Sequence, residues 1–311
     1  MSAHRDSTAA STITVPPLAA AAMLVVVLLV AWLDGVRHML GVWQSSAFYT
    51  YSYFIVPTSA ALIALGWRRG ETFAPWPLAF TGLVGGALLY ATGAAVELRL
   101  FQHAGIAVSI ISVLAGTLGH SFSLHHRFAL LFLLFMVPIG DGLLPILQQM
   151  TARGIMLVIG PFNVPAVRFD TLIRTEAGDF EVIEACAGLK LLVATIVSGA
   201  VFSHLVYSGR RKQALFMVAA TIVPVIANIL RASGTVLIGT WSDMQIGAHG
   251  GHIFYGMVLY LIVVALLFGI GYLWADDDAP VRPDPPLANS AAISLPILIA
   301  PAAIFIIAGL F

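Results

Sequence analysis

Residues 252–274 read HIFYGMVLYLIVVALLFGIGYLW. These 23 residues contain no Asp, Glu, Lys or Arg, and an α-helix needs only ~20 apolar residues to cross the hydrocarbon core of a bilayer. Outward from this run, comparable stretches lie near 17–34, 48–67, 77–96, 103–120, 127–146, 189–208, 213–233 and 293–310. They predict an all-α integral membrane helical bundle of eight or nine transmembrane helices. Composition agrees: 59% of residues are hydrophobic, 10% are charged and the mean hydropathy is +0.95, far from a soluble domain. Fifteen basic residues balance fifteen acidic ones, which removes the electrostatic case for a nucleic-acid partner and leaves membrane lipid as the surroundings.

The first run follows Arg5 but precedes many equally apolar spans, so it reads as a retained helix and not as a signal peptide. Asp276-Asp277-Asp278-Ala279-Pro280 through Pro285-Pro286 reads as a linker. The expected organisation is therefore a polytopic domain over 1–275, a linker over 276–292 and a C-terminal transmembrane helix over 293–311. Clustered basic turns at Arg68-Arg69, Arg127 and Arg210-Arg211-Lys212 fall on one side when the spans are threaded alternately, which marks that side as cytoplasmic, with the N-terminus. Single basic residues, Arg37, Arg99, Arg153, Arg168 and Arg174, fall on the other face together with segment 147–188 and loop 234–251.

Segment 147–188 is not plainly a span, and its second half reads as a short β-hairpin at the extracytoplasmic surface. Val167, Phe169, Thr171 and Ile173 alternate, Thr175-Glu176-Ala177-Gly178 supplies a turn, and Phe180 and Val182 resume the alternation. The second strand runs into Glu184-Ala185-Cys186-Ala187-Gly188-Leu189-Lys190. Cys186 is the only cysteine, so no disulfide can form within the chain, and the thiol is either an inert buried group or a nucleophile. A helix start and a cation favour a reactive thiolate, and Lys190 lies one helical turn on. Glu184 disfavours the thiolate unless it orients a His or Arg.

Two further polar sites end later spans. Asn228-Ile229-Leu230-Arg231 comes near the end of an apolar helix, where the guanidinium either faces the bundle interior or snorkels to the interface. His249-Gly250-Gly251-His252 reads as a loop without function or as half a metal site; Asp243, the only nearby candidate for a further ligand, makes a weak set, so no metal is expected. One Cys, one Arg and one His at the ends of three consecutive spans suggest acyl transfer. The thiolate attacks a carbonyl, His moves the proton and Arg faces the developing oxyanion.

These elements resemble the exosortase/archaeosortase family of multi-pass membrane cysteine transpeptidases. The matching residues are Cys186-Ala187-Gly188, Asn228-Ile229-Leu230-Arg231 and His252-Ile253-Phe254-Tyr255-Gly256, and more weakly Tyr51-Ser52-Tyr53 through Pro57. Ala187 stands where the family usually carries Ser, so no role for that hydroxyl carries over. The resemblance spans most of 45–275 and implies a thiol protease or transpeptidase, sortase-like in chemistry but not in fold. It also implies a place in the bacterial inner membrane with the site on the extracytoplasmic face. The implied substrates are exported proteins ending in a short motif, a transmembrane helix and a basic cluster, in protein sorting tied to surface, exopolysaccharide or biofilm-matrix systems. Cys186 would form the thioester, Arg231 steady the tetrahedral intermediate and His252, in preference to His249, shuttle the proton. Glu184, Gly188, Lys190 and Asn228 would support them, and no cofactor is implied. The acceptor that resolves the thioester is either water or an amine or hydroxyl on a glycan or lipid. The rival reading is a transporter or export component, for which Arg231, Glu97 and Asp141 are the polar residues to explain; no inverted repeat supports it.

Overall fold

The computed structural model describes residues 16–46, 48–67, 73–244 and 251–276, with the backbone alone for 251–255 and 257. The helices are α1 (Pro17–Ala31), α2 (Leu33–Ser45), α3 (Ile55–Leu65), α4 (Thr81–Ala95), α5 (Arg99–Leu118), α6 (His120–His125), α7 (Arg127–Phe132), α8 (Leu144–Ile159), α9 (Leu189–Val206), α10 (Arg210–Trp241) and α11 (Gly251–Leu273). Among the described residues, five stretches are long and apolar enough to cross a membrane: Pro77–Ala95, Arg99–Leu118, Asp141–Phe162, Leu189–Val206 and Arg210–Trp241. Taking α1 and α2 as one broken span makes six. Thr50–Leu65, Arg127–Met136 and Val258–Leu273 are shorter apolar helices. The eight or nine spans read from the sequence are thus matched only in part, and 293–310 lies outside the described residues.

Three boundaries move for physical reasons. The run at 127–146 is not one helix: after α7 and a 3₁₀ turn over Leu133–Met136 the chain opens at Val137. Pro138 removes a donor and restricts the residue before it, so the helix stops there. The next helix starts with Pro145 in its first turn, the position proline tolerates best. Residues 147–159, read as part of an outer segment, consequently belong to α8 together with 144–146, the end of the expected span. At the other end α10 continues to Trp241, because 234–241 contains no breaker strong enough to stop it; part of the expected loop 234–251 is therefore helical.

The chain divides into two compact units, residues 1–36 with 68–131, and residues 37–67 with 132–311. In the first, α4 and α5 approach closely at Gly86 and Gly105: a Cβ on Gly105 would lie 2.5 Å from the Gly86 carbonyl oxygen. Such small-residue contacts suit a lipid setting, where helices associate by packing.

The second unit carries the motif residues. The buried Tyr49 hydroxyl donates to Asp141 Oδ1 at 2.7 Å and accepts from the Gly140 N–H at 2.9 Å, tying the Tyr51-Ser52-Tyr53 stretch to the entrance of α8. Asp141 is thereby engaged in a contact within this unit. The long α10 packs against α8, α9 and α11. An aromatic cluster of Phe202, Phe216 and Phe268 joins α9, α10 and α11 at one end. At that end Lys212 pairs with Asp276, which also accepts from the Ser208 N–H.

The hairpin is a three-stranded antiparallel meander instead: β1 (Ala166–Phe169), β2 (Leu172–Thr175) and β3 (Gly178–Glu181), in that order. The segment read as one strand folds back at Asp170, whose φ of 57° only a few residue types adopt readily. Ile173, fully buried, packs with Val182, Ile155 on α8 and Val236 on α10, so the sheet is seated on these two helices.

Candidate active site

The chain leaves β3 at Glu181, bends at Val182 in a γ-turn closed by the Ile183 N–H on the Glu181 carbonyl at 3.0 Å, is extended at Ile183, and makes a 3₁₀ turn over Glu184–Cys186. The Cys186 N–H donates to the Ile183 carbonyl at 2.9 Å. Ala187 is 2% exposed and lies in an apolar cluster with Leu144, Leu147, Leu189 and Leu192. A methyl group suits that environment, since a buried hydroxyl without a partner is costly. Gly188 follows at φ +79°, and α9 begins at Leu189.

Gly188 is fixed twice. Its backbone is left-handed, and a Cβ there would lie 2.5 Å from Asn228 Cγ. Asn228, 1% exposed, occupies that space. Its Nδ2 donates to the Cys186 carbonyl at 2.8 Å and to Thr151 Oγ1 at 3.2 Å, and its Oδ1 accepts from the Tyr260 hydroxyl at 2.8 Å. One carboxamide thus ties the Cys186 turn to α8, α10 and α11.

Arg231 is three residues beyond Asn228, on the same face of α10. It lies within the helix, ten residues before its end at Trp241, not at its terminus. The guanidinium is turned to the protein: its Cζ is 5.5 Å from the centroid of the Tyr260 ring, a cation–π contact, and its Nε is buried with no hydrogen-bond partner among the described residues. No carboxylate pairs with it among the described residues. Gly256 makes room for this placement, because a Cβ at 256 would lie 2.4 Å from Arg231 Nε. His252, Gly256 and Tyr260 are spaced four apart and form one stripe of α11. The backbone therefore puts His252 in the first turn of α11, on the face that Gly256 turns to Arg231. The His252 side chain and all of His249 lie outside the described residues.

Cys186 and Arg231 line one cleft of about 230 Å³. Ile155 from α8, Asp179 to Val182 of the sheet segment, and Ala232 and Thr235 from α10 complete much of its wall. Asp179 forms a bidentate pair with Arg174 at 2.8 and 2.9 Å, and hydrogen bonding to that guanidinium holds its carboxyl below the usual range. Glu184 is exposed and Lys190 half-buried, and neither appears in the cleft wall. The left-handed Gly188 interrupts the helix between Cys186 and Lys190, so the expected shared helical face does not exist. The sequence reading missed Tyr260, Thr151 and Gln148, whose Nε2 donates to the Val182 carbonyl at 2.9 Å. Only Tyr260 had a signal, its spacing of four from Gly256.

A thiol and a guanidinium with no carboxylate partner among the described residues line one cleft, with a histidine-bearing helix turn on the guanidinium's side, a set able to carry acyl transfer. No curated protein and no solved structure matches the chain. The sequence model described as transmembrane exosortase matches residues 43–269, the stretch that holds every residue of this site. The chain belongs to the transmembrane exosortase family.

Proposed function

We propose that this protein is a membrane-embedded cysteine peptidase or transpeptidase that cleaves the C-terminal sorting signal of exported proteins through a thioester on Cys186. The observation that carries the reading is the single cleft shared by Cys186 and Arg231. His252 takes the Sγ proton as the sulfur attacks the carbonyl carbon, and the oxyanion of the tetrahedral intermediate faces Arg231. As the C–N bond breaks, His252 returns the proton to the leaving amine. Water, or an amine or hydroxyl, then attacks the thioester and restores the thiol. Asn228 acts through Cys186 by holding its carbonyl, and Gly188 through Asn228 by leaving space for it. Clustered basic turns support a site on the extracytoplasmic side of the bacterial inner membrane.

The test is processing, in cells, of a co-expressed exported protein ending in a short motif, an apolar helix and a basic tail. Cys186→Ala should abolish cleavage while the variant remains in the membrane at the wild-type level. Undiminished cleavage by that variant would end the proposal.

A further inference from the structure

The strand that leads to Cys186, β3, is an edge strand of the sheet, paired with β2 alone among the described residues. β2 and β3 pair with Leu172 opposite Glu181, Ile173 opposite Phe180, Arg174 opposite Asp179 and Thr175 opposite Gly178. The Val182 N–H donates to the Thr171 carbonyl at 3.0 Å, in the same register. Hydrogen-bonded and non-bonded pairs alternate in an antiparallel ladder. Counting back from Thr171 and Val182, the bonded pairs are Ile173 with Phe180 and Thr175 with Gly178. Asp179 and Glu181 therefore turn their backbone groups away from β2. The Glu181 carbonyl is taken by the Ile183 N–H at 3.0 Å. The Asp179 N–H and carbonyl and the Glu181 N–H have no backbone partner among the described residues. Both residues line the cleft that holds Cys186.

An unpaired strand edge is a template for another strand. At about 230 Å³ the cleft is smaller than the ~300–1,000 Å³ usual for small-molecule sites, and Ile155, Ile173, Phe180 and Val182 make its wall apolar. It suits one or two small apolar side chains of an extended peptide. We infer that β3 is a docking strand: an extended segment of the polypeptide substrate, upstream of the scissile bond, adds to its free edge and is thereby delivered to Cys186. The inference rests on the peptide-cleaving reading. It also fixes direction. β3 runs toward Cys186, so a segment whose terminal carbonyl lies at Sγ and whose preceding residues lie along β3 runs parallel to it. Backbone pairing would supply affinity, and every second side chain would enter the cleft.

The experiment alkylates the sole thiol of the purified full chain with acetyl-Val-Ala-Val-Ala chloromethyl ketone. The sulfur displaces chloride, the thiol proton passes to buffer, and the thioether is read by mass. Rates are divided by those with iodoacetamide, which reports the thiol's own reactivity without a peptide. Glu181→Pro removes the outward N–H, whereas Glu181→Ala removes only the side chain. The peptide-to-iodoacetamide ratio should be about fivefold lower for Glu181→Pro than for Glu181→Ala, the effect of one hydrogen bond of ~1 kcal/mol. On the wild-type protein, N-methylation of the reagent should lower the ratio at alternate residues and leave it unchanged at those between. Equal ratios for the two variants together with no alternation would overturn the inference. So would a wild-type dimer that Glu181→Pro dissociates without changing the ratio, since the edge would then join two copies of this chain. Alkylation needs no turnover, so failure of the peptidase reading would appear separately, as processing that survives Cys186→Ala.

Discussion

Replacing Asn228 by Ala should loosen the Cys186 turn more than any other single change near it. Asn228 is 1% exposed and makes three side-chain hydrogen bonds, to the Cys186 carbonyl, Thr151 and Tyr260. Within membrane helices such bonds average ~0.6 kcal/mol and reach ~1.7. The three together amount to about 2 kcal/mol, and the buried groups left without partners raise the expected loss to about 2–4 kcal/mol. Tyr260→Phe removes one of the three bonds and should cost about 0.6 kcal/mol, and the two changes should be coupled by a similar amount. Asn228→Asp keeps the acceptor for Tyr260 but sets an oxygen against the Cys186 carbonyl, so it should resemble Ala in its effect on the thiol. Unfolding in detergent micelles, followed by Trp fluorescence, gives the stability, and iodoacetamide reactivity of Cys186 reports its turn. An Asn228→Ala variant within about 0.5 kcal/mol of wild type, the range of a neutral surface change, with unchanged substrate cleavage would refute the clamp.

Arg231→Lys should lower cleavage by about two orders of magnitude, nearly as far as Arg231→Ala, because an ammonium cannot reproduce a planar donor set beside the Tyr260 ring; near-normal cleavage would reduce Arg231 to a bulk charge. Gly256→Ala should fold normally yet lose about tenfold or more in rate, since the new methyl displaces the flexible end of Arg231 by contact at Nε; an unaffected rate would show that the guanidinium tolerates the shift. His252→Ala should abolish cleavage and His249→Ala should not, as measured on the same co-expressed substrate. The reverse outcome would move the proton carrier into the loop before α11.

The lipid setting and the three motif elements were legible because each rests on local chemistry. Apolar run length, a lone thiol, and Gly four residues after His can all be read without a fold. The bundle's internal breaks were harder. Pro138 and Pro145 were both visible, but a continuous apolar run around them outweighed their signal, and α8 was lost into a presumed surface segment. The turn at Asp170 has no Gly, Pro or Asn, so one strand was read where two exist. Lys190 was placed by helical periodicity across Gly188, whose left-handed backbone invalidates that count. The Asn228 contact to the Cys186 carbonyl joins residues 42 apart, and no local pattern encodes it. Once Gly188 and Asn228 are seen to share one space, two separate motif elements become a single packing requirement.

If Cys186 is the nucleophile, an acyl group is carried covalently on its sulfur, and that link can be isolated. Purified wild-type protein is mixed with an exported protein that ends in a short motif, an apolar helix and a basic tail, then quenched in acid and analysed by intact mass. The expected result is an adduct equal to the N-terminal cleavage fragment, mapped to Cys186, released as a hydroxamate by neutral hydroxylamine and absent from Cys186→Ala. Cleaved product accumulating with no hydroxylamine-sensitive adduct, or the same adduct forming on Cys186→Ala, would contradict it.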